Sequence, residues 1–186
     1  MIYIGFKISG ESQKEMHECG VSLREYMLSS LFEEYSADDI EITSHGKPIL
    51  KSGYAGFSVS HSCGAVCCAV NTGNIDCREK ADTDWIILES GDDVDIGVDI
   101  EPVFRDVKWE KLAQRFFTKQ EKAYALDKQR FIEIFTKKES LCKLSGNGIA
   151  DMKNADTFLE NDIKTVTKTV FLKEKEYKIS VSFKNT

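Results

Sequence analysis

The chain has 186 residues, 41% of them hydrophobic and 30% charged, enough for one globular unit or for two small halves sharing a core. No apolar run approaches the ~20 residues that a membrane-spanning helix needs, and residues 1–6 lack the basic start and long apolar centre of a secretion signal; the expectation is a cytoplasmic protein with no membrane role. A net charge of −6 argues against general nucleic-acid binding.

In chain order, residues 2–8 alternate as a first strand, and 12–34 read as a helix whose apolar positions include Val21, Leu23, Met27 and Leu31. Residues 39–43 form a short strand, Gly46-Lys47-Pro48 a turn, and 56–61 a strand ending in polar residues. The apolar run 65–70 predicts a buried strand, and 71–74 turns the chain. The acidic stretch 76–84 reads as a loop. Residues 85–88 and 96–100 read as strands. Trp109, Leu112, Ala113 and Phe116 have the spacing of an amphipathic helix. A second helix is predicted over 128–144, ended by Gly146-Asn147-Gly148. Residues 164–172 and 177–183 are β-rich. The order strand, helix, strands recurs on both sides of residue 97, which predicts two halves, 1–96 and 97–186, of similar topology but without a repeat at the level of residues.

Charge and cysteine are unevenly informative. Residues 105–143 hold 11 Lys/Arg against 6 Asp/Glu, so an acidic protein carries one basic region suited to an acidic partner or a phosphate-rich ligand. By charge alone a solvated helix face explains it equally. The six cysteines form no CxxC pair. They read as reduced thiols filling apolar space rather than as a zinc site, although Cys63 and Cys67 stand four apart.

Two patterns carry chemistry. Asp99 and Glu101 are two apart on a predicted strand, so both carboxylates face one side, a hard-oxygen pair suited to Mg²⁺. The run from Asp93 fails as a calcium loop, because its glycine falls at the fifth position and Phe104 at the twelfth. Glu139 and Lys143 are four apart on the second helix and share a face. They form either a surface ion pair or a carboxylate and an ammonium facing one reactive centre. Ser60 and His61 close a strand, and no nucleophile-elbow glycines surround Ser60.

Taken together and in order, Gly46-Lys47-Pro48, Phe57-Ser58-Val59-Ser60-His61-Ser62, Gly97-Val98-Asp99-Ile100-Glu101, Arg115-Phe116-Phe117-Thr118 with Glu121, and Phe135-Thr136-Lys137-Lys138-Glu139-Ser140 with Lys143 resemble the Sfp-type 4′-phosphopantetheinyl transferases. The resemblance implies an α/β (α+β) fold of two halves related by a pseudo-twofold axis, each with a small antiparallel sheet and a packed helix. The site would lie in the cleft between them. It implies transfer of the phosphopantetheine arm of coenzyme A to a serine of an apo acyl or peptidyl carrier protein, with Mg²⁺ as cofactor and a monomer as the working unit. Asp99, Glu101 and Glu139 match the metal ligands. Glu139 also matches the residue that takes the serine proton, and Lys143 the lysine beside the pyrophosphate. Ser60 and His61 match the site of the 3′-phosphate, and Lys47 matches the Gly-Lys-Pro lysine that lies by the nucleotide. Lys111, Arg115 and Lys119 are expected to help dock the carrier.

This sequence departs from the family pattern in three places. Phe135 stands where tryptophan is frequent, residues 72–93 read as an insertion, and only Lys7, Lys14 and Arg24 supply Lys or Arg before Lys47. The competing readings are another Mg²⁺-dependent nucleotide transferase, which the lack of P-loop and dinucleotide-binding glycine patterns disfavours, and a carrier-binding module without catalysis, which has no chemical need for Asp99, Glu101, Glu139 and Lys143 together.

Overall fold

A computed structural model of the chain describes residues 1–75, 77, 81–148, 151–159 and 162–184. The chain runs β1 (Ile2–Ile8), α1 (Gln13–Leu31), a 3-10 turn (Ala37–Asp39), β2 (Ile40–Ile42), β3 (Pro48–Leu50), β4 (Gly56–Ser62), β5 (Ala65–Asn71) and β6 (Ile86–Leu88). It continues with β7 (Ile96–Pro102), α2 (Trp109–Phe116), α3 (Lys119–Tyr124), α4 (Lys128–Ser145), β8 (Ile163–Leu172) and β9 (Lys175–Lys184). All strand pairings among the described residues are antiparallel, in sheets of order β4-β5-β1-β6, β2-β3 and β7-β9-β8. The expected mixed α+β class with small antiparallel sheets is the one observed.

The layers follow from strand alternation. Tyr3, Phe57, Val66, Cys68 and Val70 project from one face of the four-stranded sheet onto Leu23, Met27 and Leu31 of α1. From its other face, Ile2, Ile4, Ala65, Cys67 and Ala69 meet Val98, Ile100, Ile179, Val181 and Phe183 of the three-stranded sheet. The continuous apolar run of β5 is thereby explained, because both of its faces are covered. Cys67, Cys68, Cys77 and Cys142 are buried, as small apolar fillers should be, while Cys63 is exposed; all six thiols are free.

The outer face of the three-stranded sheet is polar, and α4 lies on it. Gly97, Ser182 and Thr165 form one cross-strand row, and Asp99, Ser180 and Thr167 the next. Ser140 of α4 hydrogen-bonds Ser182 (2.7 Å), and the Ser180 hydroxyl donates to Thr136 (3.0 Å). All four of these side chains are wholly buried. A Cβ at Gly97 would sit 2.1 Å from the Ser140 carbonyl oxygen, so only glycine lets the helix backbone approach the strand this closely. Asp127 caps α4 by accepting from the Arg130 N–H (2.8 Å). Gly146, at φ +74°, ends it in the left-handed conformation that the sequence pattern predicts.

Some boundaries differ from the sequence-based expectation. Ser12 and Glu15 build a capping box at the start of α1, but the helix ends at Leu31 rather than at 34. Phe32 turns to φ −131° and packs its ring edge-on against Tyr54, so tertiary burial overrides helix propensity. Short β3 and six-residue α3 escape periodicity altogether. Of the expected acidic loop 76–84, residues 76 and 78–80 lie outside the described residues. No described helix is long and apolar enough to cross a membrane.

Candidate active site

Strand β4 is the edge of one sheet and β7 the edge of the other, and the two edges meet. Ser58, Ser60 and Ser62 alternate along β4 toward β7. Ser58 Oγ accepts the Val98 N–H (3.1 Å), which satisfies an edge donor that no strand pairs. Ser60 Oγ donates to Asp99 Oδ1 (2.7 Å), and Ser62 Oγ donates to Glu101 Oε2 (2.8 Å). The Lys143 ammonium reaches in from α4 to the same Asp99 Oδ1 (2.8 Å) and to Ser60 Oγ (2.6 Å). On the far side, the Arg105 guanidinium pairs with Glu101 Oε1.

Asp99 and Glu101 are buried, at 2% and 5% exposure. Burial and the neighbouring Asp99 raise Glu101 above the usual carboxylate range, against the pull of Arg105. Glu139 is pushed up to about 8 by burial and by Asp99, with Lys143 opposing. Burial pulls Lys143 down, but Asp99 and Glu139 outweigh it and hold it above the ordinary lysine value. Three carboxylates and one ammonium on β7 and α4 thus share one electrostatic centre, so the Glu139–Lys143 spacing is no simple surface pair.

The chemistry of this donor set suits a hard divalent cation. One observation bears on the fit: Asp99 Oδ2 is buried and has no hydrogen-bond partner, an unsatisfied acceptor of the kind that a bound ion explains. Among the described residues, however, no three His, Cys, Asp or Glu side chains already stand as a gathered ligand set. Lys143 takes Asp99 Oδ1 and Arg105 takes Glu101 Oε1, while Asp99 Oδ2 is left open.

Residues 95–186 match the family model of the 4′-phosphopantetheinyl transferase superfamily. Through its C-terminal half, the chain belongs to that superfamily. No curated protein matches the chain. The part that matches the superfamily runs from β7 to β9 and carries Asp99, Glu101, Glu139 and Lys143. Lys47, Ser60 and His61 lie outside it.

These last three are not brought together. Ser60 faces Asp99. His61, next on the strand, alternates onto the face that β4 turns toward α1, and burial and the Lys143 charge lower its pKa. Lys47 donates from Nζ to the Leu144 carbonyl (3.0 Å) at the end of α4, and burial lowers its pKa despite Asp95. Lys47 and Lys143 do share a cavity of about 230 Å³, bordered also by Pro48, Phe57, Ser58 and Gly146. Lys111, Arg115 and Lys119 are all exposed.

Sequence reasoning passed over Ser58, Ser62, Arg105 and the pair Glu121–Lys138 as working residues. The period-two serines of β4 were a signal for the first two. Lys138 is wholly buried on Glu121 (2.8 and 3.1 Å). Glu121 also accepts from the Thr157 N–H and hydroxyl (2.9 and 3.0 Å), which ties α3, α4 and the segment after α4 together.

Proposed function

We propose that this protein transfers the 4′-phosphopantetheine arm of coenzyme A to the serine hydroxyl of an apo acyl or peptidyl carrier protein and releases 3′,5′-adenosine bisphosphate. The observation that carries the reading is the convergence of Asp99, Glu101, Glu139 and Lys143 where β7, β4 and α4 meet. We read Asp99, Glu101 and Glu139 as the residues that hold Mg²⁺. When bound, the ion would draw charge from the pyrophosphate oxygens as the new ester forms.

The residues supply the rest. The Glu139 carboxylate, set beside Asp99 and Lys143 by α4, would take the serine proton, directly or through a water, as the oxygen–phosphorus bond forms. Lys143 keeps its proton and can meet the charge growing on the departing bisphosphate. The cavity beside Lys47 is the proposed place of the nucleotide, with Lys47 and Ser60 near its phosphates. His61 follows Ser60 on the same edge strand, and its ring feels the Lys143 charge. One chain supplies all of these residues, which supports a monomer as the working unit, and coenzyme A chemistry fits the cytoplasm.

The test is transfer itself. Incubated with coenzyme A and Mg²⁺, an apo carrier should gain the mass of one phosphopantetheine arm. Tight carrier binding without any gain would support the non-catalytic module instead.

A further inference from the structure

We propose that Arg105 is a positioning residue that acts as an internal counter-cation on Glu101 and thereby sets the affinity of the site for divalent ions. The inference rests on the reading of Glu101 as a metal ligand. Glu101 has both carboxylate oxygens engaged, Oε1 by Arg105 and Oε2 by Ser62 (2.8 Å). Its partner on the strand, Asp99, is held at only one oxygen, by Ser60 and Lys143. Two acids spaced two apart on one strand face repel each other, and burial adds to the cost of ionising both. Arg105 and Lys143 offset that cost from opposite sides, so the centre stands near neutrality without an ion.

The two cations differ in setting. Lys143 reaches in from a helix braced against β7. Arg105 stands on the turn after β7, where its own N–H bonds the Pro102 carbonyl (3.2 Å) and Lys128 holds the neighbouring Phe104 carbonyl (3.3 Å). Its side chain is 37% exposed, so the guanidinium can swing to water while the backbone stays fixed. Arg105 is therefore the cation that gives way when a divalent ion takes Glu101. The exchange lowers the apparent affinity for the ion while protecting the metal-free fold.

Arg105→Gln and Arg105→Lys test this, with thermal unfolding of the metal-free protein and Mn²⁺ titration followed by the free-ion electron paramagnetic resonance signal. Arg105→Gln should melt lower without metal yet bind Mn²⁺ about tenfold more tightly, the repulsion expected between a monovalent and a divalent cation roughly 6 Å apart in a water-like dielectric. Arg105→Lys, which keeps the charge, should stay near the wild-type affinity. Mn²⁺ affinity in Arg105→Gln that is unchanged or weaker, while the wild type binds, overturns the counter-cation role and leaves the metal reading standing. Equal changes in both variants overturn it too, since charge would not be the cause. Failure of wild type and variants alike to bind Mn²⁺ overturns the metal reading, and this inference with it.

Discussion

The helix that carries Glu139 and Lys143 is seated by one absent side chain, which makes Gly97→Ala a sharp perturbation. The added Cβ would lie 2.1 Å from the Ser140 carbonyl oxygen and 2.4 Å from the Leu144 nitrogen. Both are helix backbone, so no rotamer change relieves the clash. Ordinary contact begins near 3.4 Å, and α4 must therefore retreat by about 1.3 Å. Overpacking of this kind costs about 1–3 kcal/mol, or roughly 3–10 °C in melting temperature for a domain of this size. The larger effect falls on chemistry, because a shift of about 1 Å in a reacting group can cost ~100-fold in rate. The assay is paired: far-UV circular dichroism with a melt, and the rate of carrier modification. The expected variant is folded, melts lower and transfers at least about 100-fold more slowly. A variant with wild-type melting and wild-type rate would refute the close seating of α4 on β7.

Two further outcomes follow from the buried charges. Between pH 4.5 and about 8, the unfolded chain ionises Glu139 while the folded chain keeps it protonated, so metal-free stability should fall as pH rises through this window and level off above it. At about 1.4 kcal/mol per pH unit the ceiling is ~5 kcal/mol, and partial exposure of the side chain reduces it to about half. The stability difference between wild type and Glu139→Gln, measured by urea unfolding, should track that fall; a difference independent of pH would contradict it. Lys138→Met leaves Glu121 as a buried unpaired carboxylate and should cost about 3–5 kcal/mol. Adding Glu121→Gln, which removes the charge but keeps an acceptor for the Thr157 N–H, should recover part of the loss in the same unfolding assay, and no recovery would contradict a charge origin.

What could be read from the sequence divides along physical lines. The alternation of β7 placed Asp99 and Glu101 on one face because strand period is a local property. Glu139 and Lys143 share a face for the same reason, with the helix repeat in place of the strand repeat. The glycine cap of α4 was equally legible, since only a left-handed residue ends the helix there. Arg105 on Glu101 and Lys138 on Glu121 were not legible, because each ion pair joins residues whose meeting depends on a turn or on helix packing. Gly97 stood within a recognised motif, yet its reason, contact with the α4 backbone, exists only once β7 and α4 are assembled. His61 shows the limit from the other side. Adjacency to Ser60 suggested a shared site, and the same alternation that unites Asp99 with Glu101 sends His61 to the opposite face of its sheet.

The most direct test of the account is the intact mass of several apo carrier proteins after incubation with coenzyme A, Mg²⁺ and either the wild-type chain or Glu139→Gln. At least one carrier should gain one phosphopantetheine arm with the wild type, and that gain should be lost with Glu139→Gln. No gain on any carrier, together with no binding of coenzyme A, would contradict it.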